Sequence, residues 1–108
     1  MKPLAELTWP QVAQAVAEGA TTVILPLGAT EQHGRHLPLG TDTLRAEALA
    51  ARLAERLPAL VAPALPVGCS DEHEGFAGLL SLEAETLAAV IADCARRMAG
   101  WGVRRFVV

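Results

Sequence analysis

Three short apolar runs, each preceded by a segment whose apolar residues recur at helical spacing, constrain this chain more than any other feature. Thr21-Thr22-Val23-Ile24-Leu25 is β-branched and apolar between Gly19 and Gly28, which suits a buried strand better than a helix of that length. Residues 60–65 read as a second strand, short or irregular because Pro63 and Pro66 cannot donate to a ladder, and residues 103–108 as a third. Ahead of the first strand, Thr8 suits an N-cap, Pro10 lies in the first turn where its missing N–H costs nothing, and Val12, Ala15 and Val16 follow at helical spacing, predicting a helix over about 9–18. From Asp42 or Thr43, Leu44, Ala48, Leu49, Leu53 and Leu57 fall on one face until Pro58 ends the pattern. Leu82, Leu87, Val90, Ile91, Cys94 and Met98 trace a third helix that ends near Gly100. The order α-β-α-β-α-β argues for parallel strands joined by right-handed crossovers. The expected fold class is α/β, a three-layer α/β/α arrangement with a mostly parallel sheet.

No repeat, low-complexity tract or linker divides the 108 residues, so residues 1–108 are expected to form a single domain. Hydrophobic residues make up 52% and charged residues 19%, which leaves two readings open: Ala-rich helices that pack closely, or an apolar face turned to a partner. The formal charge is −3 and the basic residues are scattered apart from Arg96-Arg97 and Arg104-Arg105, which argues against a nucleic-acid partner. Met1-Lys2-Pro3-Leu4 is followed by no apolar signal core, and no run approaches the roughly 20 residues of a membrane-spanning helix, so no membrane association and a cytoplasmic location are expected. Cys69 and Cys94, without CxxC spacing, fit free thiols in a reducing compartment, with Cys94 as a small core residue. In an open α/β sheet ligands bind beyond the carboxyl ends of the strands. The sequence stops on Phe106-Val107-Val108, where a third such loop would begin, so a chain truncated after the third strand is expected.

The densest chemistry follows the first strand, in Glu31-Gln32-His33-Gly34-Arg35-His36-Leu37-Pro38-Leu39-Gly40-Thr41-Asp42. Carboxylate oxygen and imidazole nitrogen bind zinc, manganese and similar ions, and Glu31, His33, His36 and Asp42 offer four such groups. Gly34, Pro38 and Gly40 let the loop fold back, so that Asp42 at the next helix start approaches Glu31 and His33 and can bridge two ions. Spacing alone also allows a polar loop that holds no metal. His73, between Glu72 and Glu74 in the second loop, suits substrate contact or proton transfer, or is a solvated histidine; His73 and Glu72 are the candidate catalytic residues. Glu83 and Glu85 sit where the macrodipole of the third helix favours anions, and Trp9 and Trp101 suit packing or an interface.

The stretch Leu25-Pro26-Leu27-Gly28-Ala29-Thr30-Glu31-Gln32-His33-Gly34, continued by His36-Leu37-Pro38-Leu39-Gly40-Thr41-Asp42-Thr43, resembles the signature of the creatininase family of amidohydrolases. The resemblance extends through Glu72-His73-Glu74-Gly75-Phe76-Ala77-Gly78 and Leu80-Ser81-Leu82, similar to the family's second loop, and covers the chain from about residue 20 onward. It implies hydrolysis of a C–N bond in a small cyclic or linear amide by metal-activated water. Two divalent ions (Zn, Mn or Fe) are implied per complete site, with Glu31 and His33 each serving one, Asp42 bridging them, and Gln32 and His36 lying behind the ligands or shaping the loop. A homo-oligomer, commonly a hexamer, and a small-molecule amide substrate are implied in the same way. Creatinine, a formamide on a nucleotide precursor and a modified precursor peptide all fall within the family, and residues 68–76 are similar to the branch that matures mycofactocin precursor peptides.

The chain departs from the family pattern at Arg35, where the family usually has Pro, and at Ala77-Gly78-Leu79, where it usually reads Pro-Gly-Thr. The family's third strand runs into an Asn-Gly-His-Gly-Gly-Asn type of segment whose His is a further ligand. Without it each ion lacks part of its ligand set, and this chain alone is expected to be inactive. A non-catalytic interaction module that keeps the half-fold is the competing reading, supported by the apolar edge that the last strand would leave. The two differ in whether divalent metal binds.

Overall fold

The computed structural model describes residues 3–108; Met1 and Lys2, where the reading of the N-terminus begins, lie outside the described residues. After a 3-10 turn at Leu4–Glu6, helix α1 (Trp9–Ala17) starts from Thr8, whose backbone is extended and whose N–H donates to Gln11 Oε1 at 2.8 Å. Gly19, in the left-handed region at φ 104°, turns the chain into strand β1 (Thr22–Ile24). Helix α2 (Thr41–Ala54), strand β2 (Ala59–Val61), helix α3 (Ala84–Gly100) and strand β3 (Arg105–Val107) follow. The strands pair in the order β2-β1-β3, all parallel, with Val23 opposite Leu60 on one side and Phe106 on the other.

Strand alternation sorts the core into two layers. Val23, Leu25, Leu60 and Ala62 turn to one face, where Val12, Ala15 and Val16 of α1 and Ile91 and Met98 of α3 cover them. Ile24 and Ala59 turn to the other, against Ala50, Leu53 and Ala54 of α2. Helices thus lie on both faces of a parallel sheet, the three-layer α/β/α arrangement that the sequence predicts. The strands are shorter than predicted. Pro63 interrupts the second after Val61, yet pairing resumes beyond it, where Leu65 N–H donates to Pro26 O at 3.0 Å and Gly28 N–H to Leu65 O at 2.8 Å. That renewed pairing carries the two chains side by side into the loops that follow.

Two packing expectations are corrected. Leu44, Leu49 and Leu57 were expected to face the core with Leu53, but all three are exposed, Leu49 at 64%, and the sheet meets Ala50, Leu53 and Ala54 instead. Small side chains let the helix approach three-residue strands closely, and Leu49 turns outward beside Arg45 and Arg52. Cys94 is half-buried, not a core residue, and Cys69 is exposed; both are free. Trp9 and Trp101 are exposed and flank one shallow depression with Val12 and Ala13. No helix among the described residues is long and apolar enough to cross a membrane.

Leu60 has no exposed surface and sits at the centre of the sheet register. Leu60→Ala is expected to cost about 2–5 kcal/mol of unfolding free energy, whereas Leu49→Ala stays within about 0.5 kcal/mol. Urea denaturation of both variants checks the assignment of the core face, and equal losses would refute it.

Candidate metal centre

Two loops leave the carboxyl ends of β1 and β2 and are tied to each other. In the first, Gly28 passes so close to the start of α2 that a Cβ there would lie 2.6 Å from the backbone Cα of Thr43. The Thr43 hydroxyl donates to Ala29 O at 3.1 Å, which docks the first turn of α2 on the end of the strand. Glu31 N–H donates to Leu39 O at 3.1 Å, and Gly34 at φ 74° reverses the chain between them. Asp42, in the first turn of α2, is thereby returned to the residues that leave β1, where the helix N-terminus favours its charge.

The second loop is pinned by bonds to the first and within itself. Thr30 Oγ1 donates to Pro66 O at 2.7 Å, and Leu80 N–H to Thr30 O at 3.0 Å. Ser70, buried, donates its N–H to Ser81 Oγ at 2.9 Å, and the Ser81 hydroxyl donates to Asp71 Oδ1 at 2.6 Å. A 3-10 turn at Asp71–His73 then presents Glu72 and His73 to Glu31. Leu39 packs on Gly78, whose φ of 91° is the left-handed conformation that favours glycine.

Five of the residues singled out in the sequence converge. Ligand atoms of Glu31, His33 and Asp42 all lie within 4.8 Å of one another, and so do those of Glu31, Glu72 and His73, with Glu31 common to both groups. His33 Nε2 is 3.7 Å from Asp42 Oδ1. His73 Nε2 is 3.6 Å from Glu31 Oε1 and 3.8 Å from Glu72 Oε1. The Glu31 side chain is only 13% exposed, whereas that of Glu72 is 67% exposed at the rim. His36 and Arg35 are exposed and belong to neither group.

This donor set fits a divalent cation. Three carboxylates converge on two imidazoles, an excess of negative charge that a cation neutralises. The 3.7 Å between His33 and Asp42 is close to the separation of about 3.4 Å that two donors about 2.1 Å from one ion have in tetrahedral coordination. His33 Nδ1 is buried without a hydrogen-bond partner among the described residues, a state that costs about 1–3 kcal/mol in a dry site.

Sequence reading did not find the Ser70–Ser81–Asp71 pinning or a contact between Gln32 and His73, whose Nε2 and Nδ1 atoms are 2.9 Å apart. The latter pair is 41 residues apart in the chain, so no local spacing could have signalled it.

Comparison with known proteins finds relatives along most of the chain. Residues 5–108 match the family model Creatininase, described as creatinine amidohydrolase. Creatinine amidohydrolase of Pseudomonas putida is 39% identical over 95% of this chain and 42% of its own length. The mycofactocin precursor peptide peptidase of Mycobacterium tuberculosis H37Rv is 42% identical over 77% of this chain and 37% of its own length. Among solved structures, a manganese creatininase superposes with a TM-score of 0.89 at 38% identity, covering 97% of this chain and 44% of that one. The chain therefore spans less than half the length of the relatives it matches.

Proposed function

The chain belongs to the creatininase family, and from that premise we propose that it carries the metal-binding half of an amidohydrolase site that cleaves a C–N amide bond in a small cyclic or linear amide. The observation that carries the reading is the convergence of Glu31, His33 and Asp42 at the carboxyl end of β1. Glu31 and His33 would each hold one divalent ion of a pair, with Asp42 bridging them from the first turn of α2. Ions bound there would supply Lewis-acid polarisation and bring water towards ionisation near neutral pH. The chain's own residues add the following. Glu31, largely sheltered from solvent, keeps its charge directed inward, while Glu72 at the exposed rim is placed to exchange a proton with water or with a leaving amine. His73, between the two, links the sheltered carboxylate to the rim.

Both named relatives act on amide bonds, one in creatinine and one in a precursor peptide. The substrate class proposed for this chain is therefore the amide common to both. The test uses the protein as its gene encodes it, stripped of metal and reloaded with zinc or manganese, and follows hydrolysis of creatinine and of a peptide amide. Metal-dependent turnover of either, lost by at least about 100-fold in Asp42→Asn, is the expected result. A loaded protein that hydrolyses neither overturns the amidohydrolase reading.

A further inference from the structure

We propose that Gln32 is a positioning residue that fixes the tautomer of His73, so that this imidazole turns an N–H, and not a metal-binding lone pair, towards Glu31 and Glu72. The inference rests on the reading above for the metal, but its central observation does not. The backbone N–H of Gly34 lies 3.0 Å from Gln32 Oε1. A backbone N–H can only donate, so that end of the side chain is oxygen. The other end is then the amide NH2, 2.9 Å from His73 Nδ1, and it too can only donate. Nδ1 must accept, and in the neutral ring the proton sits on Nε2. Turning the amide over would set NH2 against the Gly34 N–H, a donor against a donor, and that contact would be lost whichever ring nitrogen of His73 carried the proton.

Nε2 is the atom that faces Glu31 Oε1 at 3.6 Å and Glu72 Oε1 at 3.8 Å. The two acid–imidazole groups that share Glu31 are therefore not equivalent. At Glu31–Glu72–His73 the nitrogen facing the carboxylates carries hydrogen and has no lone pair for an ion. Metal is confined to the side of His33 and Asp42, and His73 faces the Glu31 carboxylate with an N–H from the other side. Glutamate at position 32 reverses this arrangement with no change of size. One oxygen still accepts from Gly34 and the other accepts from His73 Nδ1–H, which turns the Nε2 lone pair towards Glu31 and Glu72.

The test is a two-bond proton–nitrogen correlation of the histidine rings in the metal-free protein, at a pH where the ring is neutral, with the His73 signal assigned by its loss in His73→Asn. The wild type is expected to show hydrogen on Nε2 and a bare Nδ1; hydrogen on Nδ1 would overturn the proposal without recourse to any variant. In Gln32→Glu, Nδ1 is expected to carry the proton, and titration with zinc is expected to bring the bound metal up by one ion per chain over wild type. An unchanged tautomer or an unchanged zinc count refutes the role of Gln32. If wild type shows the expected tautomer but binds no zinc at all, the metal reading fails and the tautomer assignment stands.

Discussion

Glu31→Gln is expected to lower divalent-metal affinity by more than about 100-fold, since losing a residue that merely orients a ligand already costs up to about that much. Glu31 is common to both acid–imidazole groups and is the most sheltered carboxylate of the site, so no other side chain can replace its charge there. Removing the charge also relieves repulsion from Asp42 and Glu72, so the metal-free fold is expected to be unchanged or slightly more stable. Glu72→Gln, at a side chain 67% exposed, should leave zinc affinity within a few-fold of wild type. Zinc content after dialysis, together with calorimetric titration of the metal-free protein, separates the two variants. Wild-type zinc content in Glu31→Gln would remove the site assignment.

Gly28→Ala is expected to damage stability and metal binding together. The added methyl would meet the Thr43 backbone 2.6 Å from its Cα, and backbone in the first turn of a helix cannot step aside as a flexible side chain can. Helix α2 must move off the strand, at a cost of about 1–3 kcal/mol, and Asp42 moves with it. Gly40→Ala serves as the control, because nothing lies within 4 Å of its added Cβ and its φ is an ordinary −87°. Its effect should stay within about 0.5 kcal/mol. Thermal unfolding and zinc titration of both variants check this, and a Gly28→Ala protein that matches Gly40→Ala in both would show that α2 is not seated on this glycine.

Much of the architecture was legible along the chain because it depends on local patterns. The β-branched run at residues 22–24 and the helical spacing after Thr8 specify their elements with little help from the rest of the molecule. The boundaries of α2 were close to those expected, since Gly40 and Pro58 bracket them, but its buried face was not. Leucine carries the larger transfer free energy, so sequence alone turns the Leu44–Leu49 side inward. The sheet instead accepts the alanine side, because the approach distance of a helix to short strands depends on the bulk between them. Glu31, His33 and Asp42 were legible as a group because one loop carries them all. Their relation to Glu72 and His73 was not, since it depends on the Thr30–Pro66 and Thr30–Leu80 bonds that lock the second loop against the first.

By itself, then, the sequence determined the α/β alternation, the family and the residue types of the candidate metal centre, because each is written in contiguous or periodic residues. Only the tertiary structure decided that Glu31 stands in two groups at once and which nitrogen of His73 faces it. The physical reason is distance along the chain. Hydrogen-bond donors and acceptors 41 residues apart have no local signal, and their pairing exists only where parallel strands bring two loops to the same edge of the sheet.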